Sequence, residues 1–278
     1  MTVIALTQEM GSLAKDVALR VAEMGGLSEM RNEVVENVAG RMQVSASLIR
    51  RLREGKAGLV ERVSTDKQQV ALFTAEEVFA QAVRGNTVLR GWGATCLLRP
   101  VRHVVRVRVT RSFDRRVAWV MENLGTEDRD TAESEVRRSD AAHAARMNAQ
   151  FGVTWGDPLL YDMVLNTDRI SVDACAEQIL TLSRSAEFQE TAESREVLQG
   201  LALSARVRAA LKADDSTSNV DVQVESRGGR VTLKGIVVNE QEKEATERVA
   251  SSVAGPGQVD SDELRLMSIS RKFTYAKT

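Results

Sequence analysis

Apolar and polar positions follow two different periods along this chain, and the switches between them mark out its elements. Residues 2–6 form a short apolar run of the kind a buried strand uses. After a loop at 7–12, Leu13, Val17, Ala18, Val21, Ala22 and Met24 recur every three or four positions. That stripe ends at Gly25 and Gly26, which predicts an amphipathic helix with a glycine stop. Further helices are expected at 28–40, 45–55 and 75–84, the last with Val78, Phe79, Ala82 and Val83 on its apolar face. A strand at 86–90 ends at Gly91, another spans 101–109, and a helix follows at 112–124. Residues 127–150 have a helical but largely charged pattern, predicting a solvated or mobile helix. A strand at 161–165 and an amphipathic helix at 171–184 complete the run. Strands that alternate with helices predict a parallel sheet covered on both faces.

Composition shifts to Ser, Glu and Gln at 185–191. A helix at 198–213 is followed by residues 220–225, which alternate strictly, by a hairpin turn at 227–230 and by a strand at 231–237. Asn239 is placed to cap a helix at 240–253, and a last strand is expected near 262–267. The order α-β-β-α-β defines a second small domain. The expected organisation is therefore a first α/β domain at 1–184, a linker at 185–197, a second domain at 198–268 and a tail at 269–278.

Charge and composition narrow the function classes. Across 278 residues the formal net charge is −1, which argues against a generally basic nucleic-acid binder. Two cysteines, Cys96 and Cys175, and two histidines, His103 and His143, disfavour a disulfide framework or a metal centre and favour core thiols. No apolar run approaches about 18 residues, so no transmembrane segment is expected. The first residues lack the pattern of a signal peptide, which predicts a cytoplasmic location.

The strand-loop-helix opening carries Gly11-Ser12, the second glycine turn carries Gly91-x-Gly93-Ala94, and the chain later reads Trp155-Gly156-Asp157-Pro158, Tyr161-Asp162 and Leu165-Asn166-Thr167. On these residues the first 185 or so positions resemble the cytidylate-kinase-like branch of the P-loop nucleoside monophosphate kinases. Val207-Arg208-Ala209-Ala210-Leu211, Val231-Thr232-Leu233-Lys234-Gly235 and Val253-Ala254-Gly255 resemble a BON domain. The resemblance implies a P-loop kinase-like parallel sheet flanked by helices, plus a small α/β module associated with interaction and ligand sensing.

Such a kinase needs a phosphate-cradling loop at a helix N-terminus, a cation on the β/γ-phosphates and a ligand for Mg²⁺. The family uses a Gly-Ser-Gly-Gly-basic string. Gly11 and Ser12 match it and Lys15 supplies the base, but Leu13 and Ala14 replace both later glycines. A Cβ there resists positive φ angles. Glu9 and Asp16 add negative charge, although Asp16 is also placed to hold a metal. The plainer reading is a strand-loop-helix capped by Ser12. On the acceptor side the family's Gly-Arg-Gly becomes Gly91-Trp92-Gly93, and its acidic base-recognition residue falls on Met30, next to Arg31. In the lid helix, Asp140 is followed by Ala141-Ala142-His143 rather than by an arginine-rich run, leaving Arg137, Arg138 and Arg146 nearby.

A basic stretch survives. Eight of the 30 arginines lie between Arg90 and Arg116, with Asp114 as the one acid. Arg106 and Arg108 fall on the same face of one strand. They read either as an anion grip or as the salt-bridged face of an edge strand. The candidate binding residues are therefore Gly11, Ser12, Lys15, Asp16, Arg31, Trp92, Arg106, Arg108, Arg115 and Arg138. The ligand they suggest is a nucleotide (ATP, or a mono- or cyclic nucleotide) with Mg²⁺, or another phosphorylated small molecule. No catalytic residue is assigned. His103 and His143 show no triad partner, and Asp157, Asp162 and Asn166 suit turns as well as chemistry.

Three functions remain open. The first is a degenerate, inactive nucleotide-kinase-like protein that binds its ligand and signals through the BON domain to a protein partner. The second is an active cytidylate or nucleoside monophosphate kinase that uses ATP, Lys15, Asp16 and relocated arginines. The third is a ligand-free scaffold that self-associates through its exposed helix and small sheet.

Overall fold

The computed structural model describes residues 1–30, 33–54, 56–58, 60–61, 65–91 and 93–267. The chain divides into two compact units, Met1–Leu198 and a second from Gln199 onward.

In the first unit, strands β1 (Val3–Gln8), β2 (Ser28–Met30), β3 (Thr87–Arg90), β4 (Val104–Thr110) and β5 (Met163–Asn166) form one parallel sheet in the order β2-β3-β1-β4-β5. The connections carry α1 (Ala14–Gly25), α2 (Glu33–Met42), α3 (Ala46–Glu54), α4 (Lys67–Arg84), α5 (Ala94–Leu97), α6 (Phe113–Leu124) and α7 (Arg129–Phe151). Helix α8 (Val172–Ser183) follows β5. Ile4 and Leu6 of β1 and Val105, Val107 and Val109 of β4 pack on Val17 and Val21 of α1 and on Ile179 of α8. Each such fully buried aliphatic side chain contributes about 1.5–3 kcal/mol, which makes this apolar face the foundation of the unit.

The structure departs from the sequence reading where pairing or capping outweighs periodicity. Residues 28–30, read as the start of a helix, form β2, held to β3 by Thr87 Oγ1, which donates to the Ser28 carbonyl at 3.1 Å. Helix α4 starts well before residue 75 because Asp66 caps it, accepting from the amides of Gln68 (2.9 Å) and Gln69 (3.0 Å). Strand β4 is not at an edge; it lies between β1 and β5. The stretch read as a linker contains a 3₁₀ turn at Ala186–Phe188 and the start of α9 (Ala192–Ala213). Thr191 and Ser194 cap each other's amides there, at 2.9 and 3.1 Å.

The second unit contains most of α9, then β6 (Val222–Arg227), β7 (Arg230–Val237), α10 (Glu240–Ala254) and β8 (Val259–Leu266). The sheet order is β6-β7-β8, antiparallel across the first pair and parallel across the second. Gly228 (φ 57°) and Gly229 (φ 79°) form the hairpin turn, which needs positive φ at both central positions. Val224, Val231, Leu233 and Leu264 face Val207 and Leu211 of α9 and Val249 of α10. On the other side of the sheet, Lys234 bridges Glu225 (3.1 Å) and Glu263 (3.4 Å). Among the described residues no helix is long and apolar enough to cross a membrane.

Candidate functional site

The chain leaves β1 toward β2 and β3 on one side and reaches β4 and β5 on the other, so the strand order reverses at β1. A crevice forms outside the C-terminal ends of strands at such a switch point, and ligands of open α/β sheets bind there. The loop from Glu9 to Leu13 lies at this position.

Gly11 (φ 77°) is required twice over: its backbone is left-handed, and an added Cβ would lie 2.8 Å from the Arg116 carbonyl oxygen. Ser12 is buried and tied on both sides. Its amide (3.2 Å) and Oγ (2.8 Å) donate to the Glu9 carbonyl, and its own carbonyl accepts from Thr167 Oγ1 at 2.9 Å. Ser12 therefore does not cap α1, as the plainer reading of the sequence supposed. The N-cap is Leu13, and no side chain caps the helix. Leu13 takes φ 61° despite its Cβ, so the Cβ does not keep this position out of the left-handed region. This conformation costs about 1–2 kcal/mol in a residue with a Cβ. Lys15 and Asp16 are exposed in the first turn of α1, and neither has a hydrogen bond or ion pair among the described residues. Gly11 and Ser12 thus lead directly into the first turn of α1, where Lys15 and Asp16 stand beside uncapped helix amides and the positive end of the helix dipole.

The arginines behave differently. The half-buried Glu9 carboxylate pairs with Arg108 and accepts from Thr110 Oγ1 at 2.7 Å and Arg116 Nη1 at 3.4 Å. Arg108 also donates to the Trp155 carbonyl at 2.8 Å, and its guanidinium lies 4.4 Å from the Trp155 ring centroid. Asp162 binds Arg106 twice, at 2.6 and 3.0 Å, and accepts from its amide at 2.8 Å. Arg106 and Arg108 are therefore each closed by a carboxylate rather than open to an anion. Arg90 is likewise held by Glu29 (3.2 Å) and by Gln8 Oε1 (2.8 Å). Arg115 is exposed, separate from this cluster, and lines a shallow groove of about 330 Å³ on α6 together with Arg111 and Trp119. Arg138 pairs with Glu135 on α7. Arg31 and Trp92 lie outside the described residues.

The Trp-Gly-Asp-Pro string supports this arrangement. Trp155 Nε1 donates to Thr7 Oγ1 at 3.1 Å, its carbonyl accepts from the Tyr161 hydroxyl at 2.7 Å, and its ring stacks on His143 with 5.1 Å between centroids. Burial pushes the Tyr161 phenol up. Asp157 caps a 3₁₀ turn through the Leu159 amide. Burial also raises both thiols, Cys96 and Cys175, as expected of inert core cysteines.

Two features escaped the sequence. His103 Nδ1 lies 2.8 Å from Ser194 Oγ, a partner 91 residues away, and its Nε2 is buried without a partner. This pair sits at the start of β4, remote in the sheet from the C-terminal crevice, so it is no hydrolytic dyad at that site. The second is a cavity of about 840 Å³ between α3, α4 and α7, floored by the ends of β1 and β3. It draws on residues far apart in the sequence, mainly from α4 and α7, and no local motif announces it.

The sequence profile of the cytidylate kinase-like family matches residues 3–169, more than half of the chain. The chain belongs to the cytidylate kinase-like family. Residues 201–267 match the profile of the BON domain, which is the second unit. No curated protein matches the chain. Among solved structures, an uncharacterized protein from Eubacterium ventriosum is 20% identical, with a TM-score of 0.53 over 66% of this chain and 99% of its own. This similarity shows a shared fold. Shikimate kinase from Acinetobacter baumannii, solved with shikimate, is 12% identical with a TM-score of 0.42 over 68% and 96% of the two chains. In this cytidylate kinase-like protein the loop backbone at Leu13 is left-handed although both later glycines of the family string are replaced.

Proposed function

We propose that the kinase-like unit binds a nucleotide through its phosphates at the junction of Gly11, Ser12 and the first turn of α1. In this reading it does not transfer phosphoryl groups efficiently, and it acts as a nucleotide-responsive module joined to a BON domain that contacts a protein partner. The observation that carries the reading is the contrast between an uncapped helix start and lid-side arginines that are mostly committed to carboxylates. Helix α7 presents Ala141, Ala142, Ala145 and Ala149 to the cavity. Arg137 is paired with Glu133, Arg138 with Glu135, and Arg116 with Glu9 and Asp140. Binding needs donors at the phosphates; fast transfer needs in addition cations on the moving phosphoryl group.

Mg²⁺ fits this site only as an ion carried by the phosphates. Among the described residues no three His, Cys, Asp or Glu side chains cluster, and Asp16 is the carboxylate in the first turn of α1 that would help hold the ion. Bound there, Mg²⁺ would neutralise phosphate charge. Lys15, exposed and unpaired, would pair with a phosphate oxygen. The same Lys15 is what favours the competing reading, a working kinase.

The test combines thermal shift with turnover. ATP and ADP, with Mg²⁺, are expected to raise the melting temperature, by the equivalent of roughly 2.7 kcal/mol at one hundred times Kd. Lys15→Ala should reduce that shift. ADP release from ATP with CMP or another monophosphate should stay at background. Turnover on the scale of seconds would establish the kinase instead, and no shift with any nucleotide would reject the binding reading.

A further inference from the structure

Apolar side chains gather at one corner of the BON sheet, on the face turned away from its helices. Ile236 is 62% exposed, Val238 59% and Met267 52%. Alternation puts Ile236 and Val238 on the face of β7 opposite Val231, Leu233 and Val237, which are buried. Strand β6 begins at Val222, opposite Gly235, so it stops short of Ile236 and leaves that side open. Single exposed apolar residues need no explanation, but three neighbours on one face mark an interaction surface. The charges beside them are arranged in a particular way. Arg265 of β8 is the register partner of Ile236 on one side. Asp221, one residue before β6, lies on the other side, its carbonyl oxygen 3.4 Å from where a Gly235 Cβ would stand. Both charged residues are exposed, and neither has an ion pair among the described residues. Two strand spacings, about 9–10 Å, separate them, which is too far for them to pair with each other. Lys234, the next residue along this face, is by contrast already bridged by Glu225 and Glu263.

We infer that this corner docks a second copy of the chain, face to face, across a two-fold axis that runs along the strands. That axis sets Ile236 on Ile236 and places Arg265 of each copy over Asp221 of the other. A two-fold axis across the strands would instead oppose Asp221 to Asp221 and Arg265 to Arg265, so the charge pattern selects the first arrangement. A partner of uniform charge would match only one of the two groups, whereas a second copy brings both. The patch is small, so the dimer is weak and depends on concentration. The inference stands on the BON sheet alone and does not depend on nucleotide binding at the α1 junction.

Sedimentation velocity on the full chain, from about 5 to about 500 μM, tests it. The sedimentation coefficient is expected to rise with concentration toward that of a dimer. Ile236→Asp should abolish the rise while preserving circular dichroism, since the position is exposed. Asp221→Arg and Arg265→Asp should each weaken association at least about fivefold, because the two-fold turns both opposite-charge pairs into like-charge pairs. An equimolar mixture of these two variants should restore association, since each copy then meets the opposite sign at both positions. Damage to the fold by either substitution would not be repaired by mixing. A chain that stays monomeric throughout the range overturns the inference. So does a dimer indifferent to Ile236→Asp, or a mixture that fails to associate. Dimerisation only after truncation at Met267 would assign the patch to residues 268–278 of the same chain and overturn it as well. An ATP thermal shift, measured on the same preparations, separates failure here from failure at the α1 junction.

Discussion

Nη2 of Arg116 on α6 lies 2.7 Å from Oδ1 of Asp140 on α7. The same guanidinium donates through Nε to the Met10 carbonyl at 2.8 Å and through Nη1 to Glu9 at 3.4 Å. One side chain, 6% exposed, thus ties the loop after β1 to the lid helix. The family places an aspartate just before its basic lid run. Here that aspartate holds an arginine from another helix.

Arg116→Met is therefore expected to destabilise the first unit strongly. It leaves the Glu9 and Asp140 carboxylates short of a donor, a loss on the order of 3 kcal/mol for a buried pair broken from one side. Asp140→Asn should cost about 1 kcal/mol or less, because Asp140 is 34% exposed and water can replace it. Urea unfolding of both variants checks the order. The reverse order would make Asp140 the anchor.

Leu13→Gly tests the loop. Glycine relieves about 1–2 kcal/mol of left-handed strain. It also gives back about 0.5–1 kcal/mol through the freer unfolded chain, besides the half-buried leucine contacts. The terms nearly cancel, so stability should change by less than about 1 kcal/mol, while ATP binding should hold or tighten. A loss above about 2 kcal/mol would mean that the Leu13 side chain, rather than its backbone, shapes the loop.

His103 makes the stability of the first unit depend on pH. Burial lowers its pKa below the usual imidazole value, with Glu190 opposing and Arg195 among the charges that reinforce it. The unfolded chain then binds the proton more readily than the folded one, so stability is full above about pH 6.5 and falls as pH drops below it. Glu190, held near pKa 2 chiefly by its bond to Arg195, stays charged throughout this window. Melting temperatures between pH 7.5 and 5 should fall more steeply in the native protein than in His103→Gln. Parallel curves would show that the imidazole does not titrate in this range.

Gly200→Ala sets two effects against each other in the BON unit. Alanine gains about 1 kcal/mol of helix propensity over glycine. Its Cβ, however, would lie 2.6 Å from the Ser226 carbonyl oxygen on β6, which is backbone and cannot swing away. Overpacking of this kind costs about 1–3 kcal/mol, so net destabilisation is expected. Calorimetry should show the BON transition moving down while the kinase-like transition stays in place.

Much of this architecture was legible in the residues. The apolar run before Gly11 and the stripe from Val17 to Val21 pointed to β1 and α1, and the alternation at 220–225 with the glycine turn after it pointed to the hairpin, because buried faces impose their period on sequence. Strand β2 was hidden, since three residues carry no period and edge pairing with β3 decides them. At the candidate site, Gly11 was legible because a left-handed backbone and a close approach need a glycine there. The partners of Arg106, Arg108 and Arg116 were not. A pair such as Arg116 and Glu9, 107 positions apart, leaves no local trace. The cavity of about 840 Å³ was hidden for the same reason.

Those distant pairs also govern the chain before it folds. Glu9 reaches Arg108 across 99 positions and Asp162 reaches Arg106 across 56, so neither bond can form until the sheet has assembled. Until then the segment from Arg90 to Arg116 is a string of eight guanidinium groups with one acid among them. The nascent or unfolded chain is locally a polycation, whereas the folded unit hides most of that charge. Polyanions, most strongly at low salt, are therefore expected to act on folding rather than on the native surface: bound to the open chain, they would compete with Glu9 and Asp162 for their arginines and slow the closure of β4 onto its neighbours.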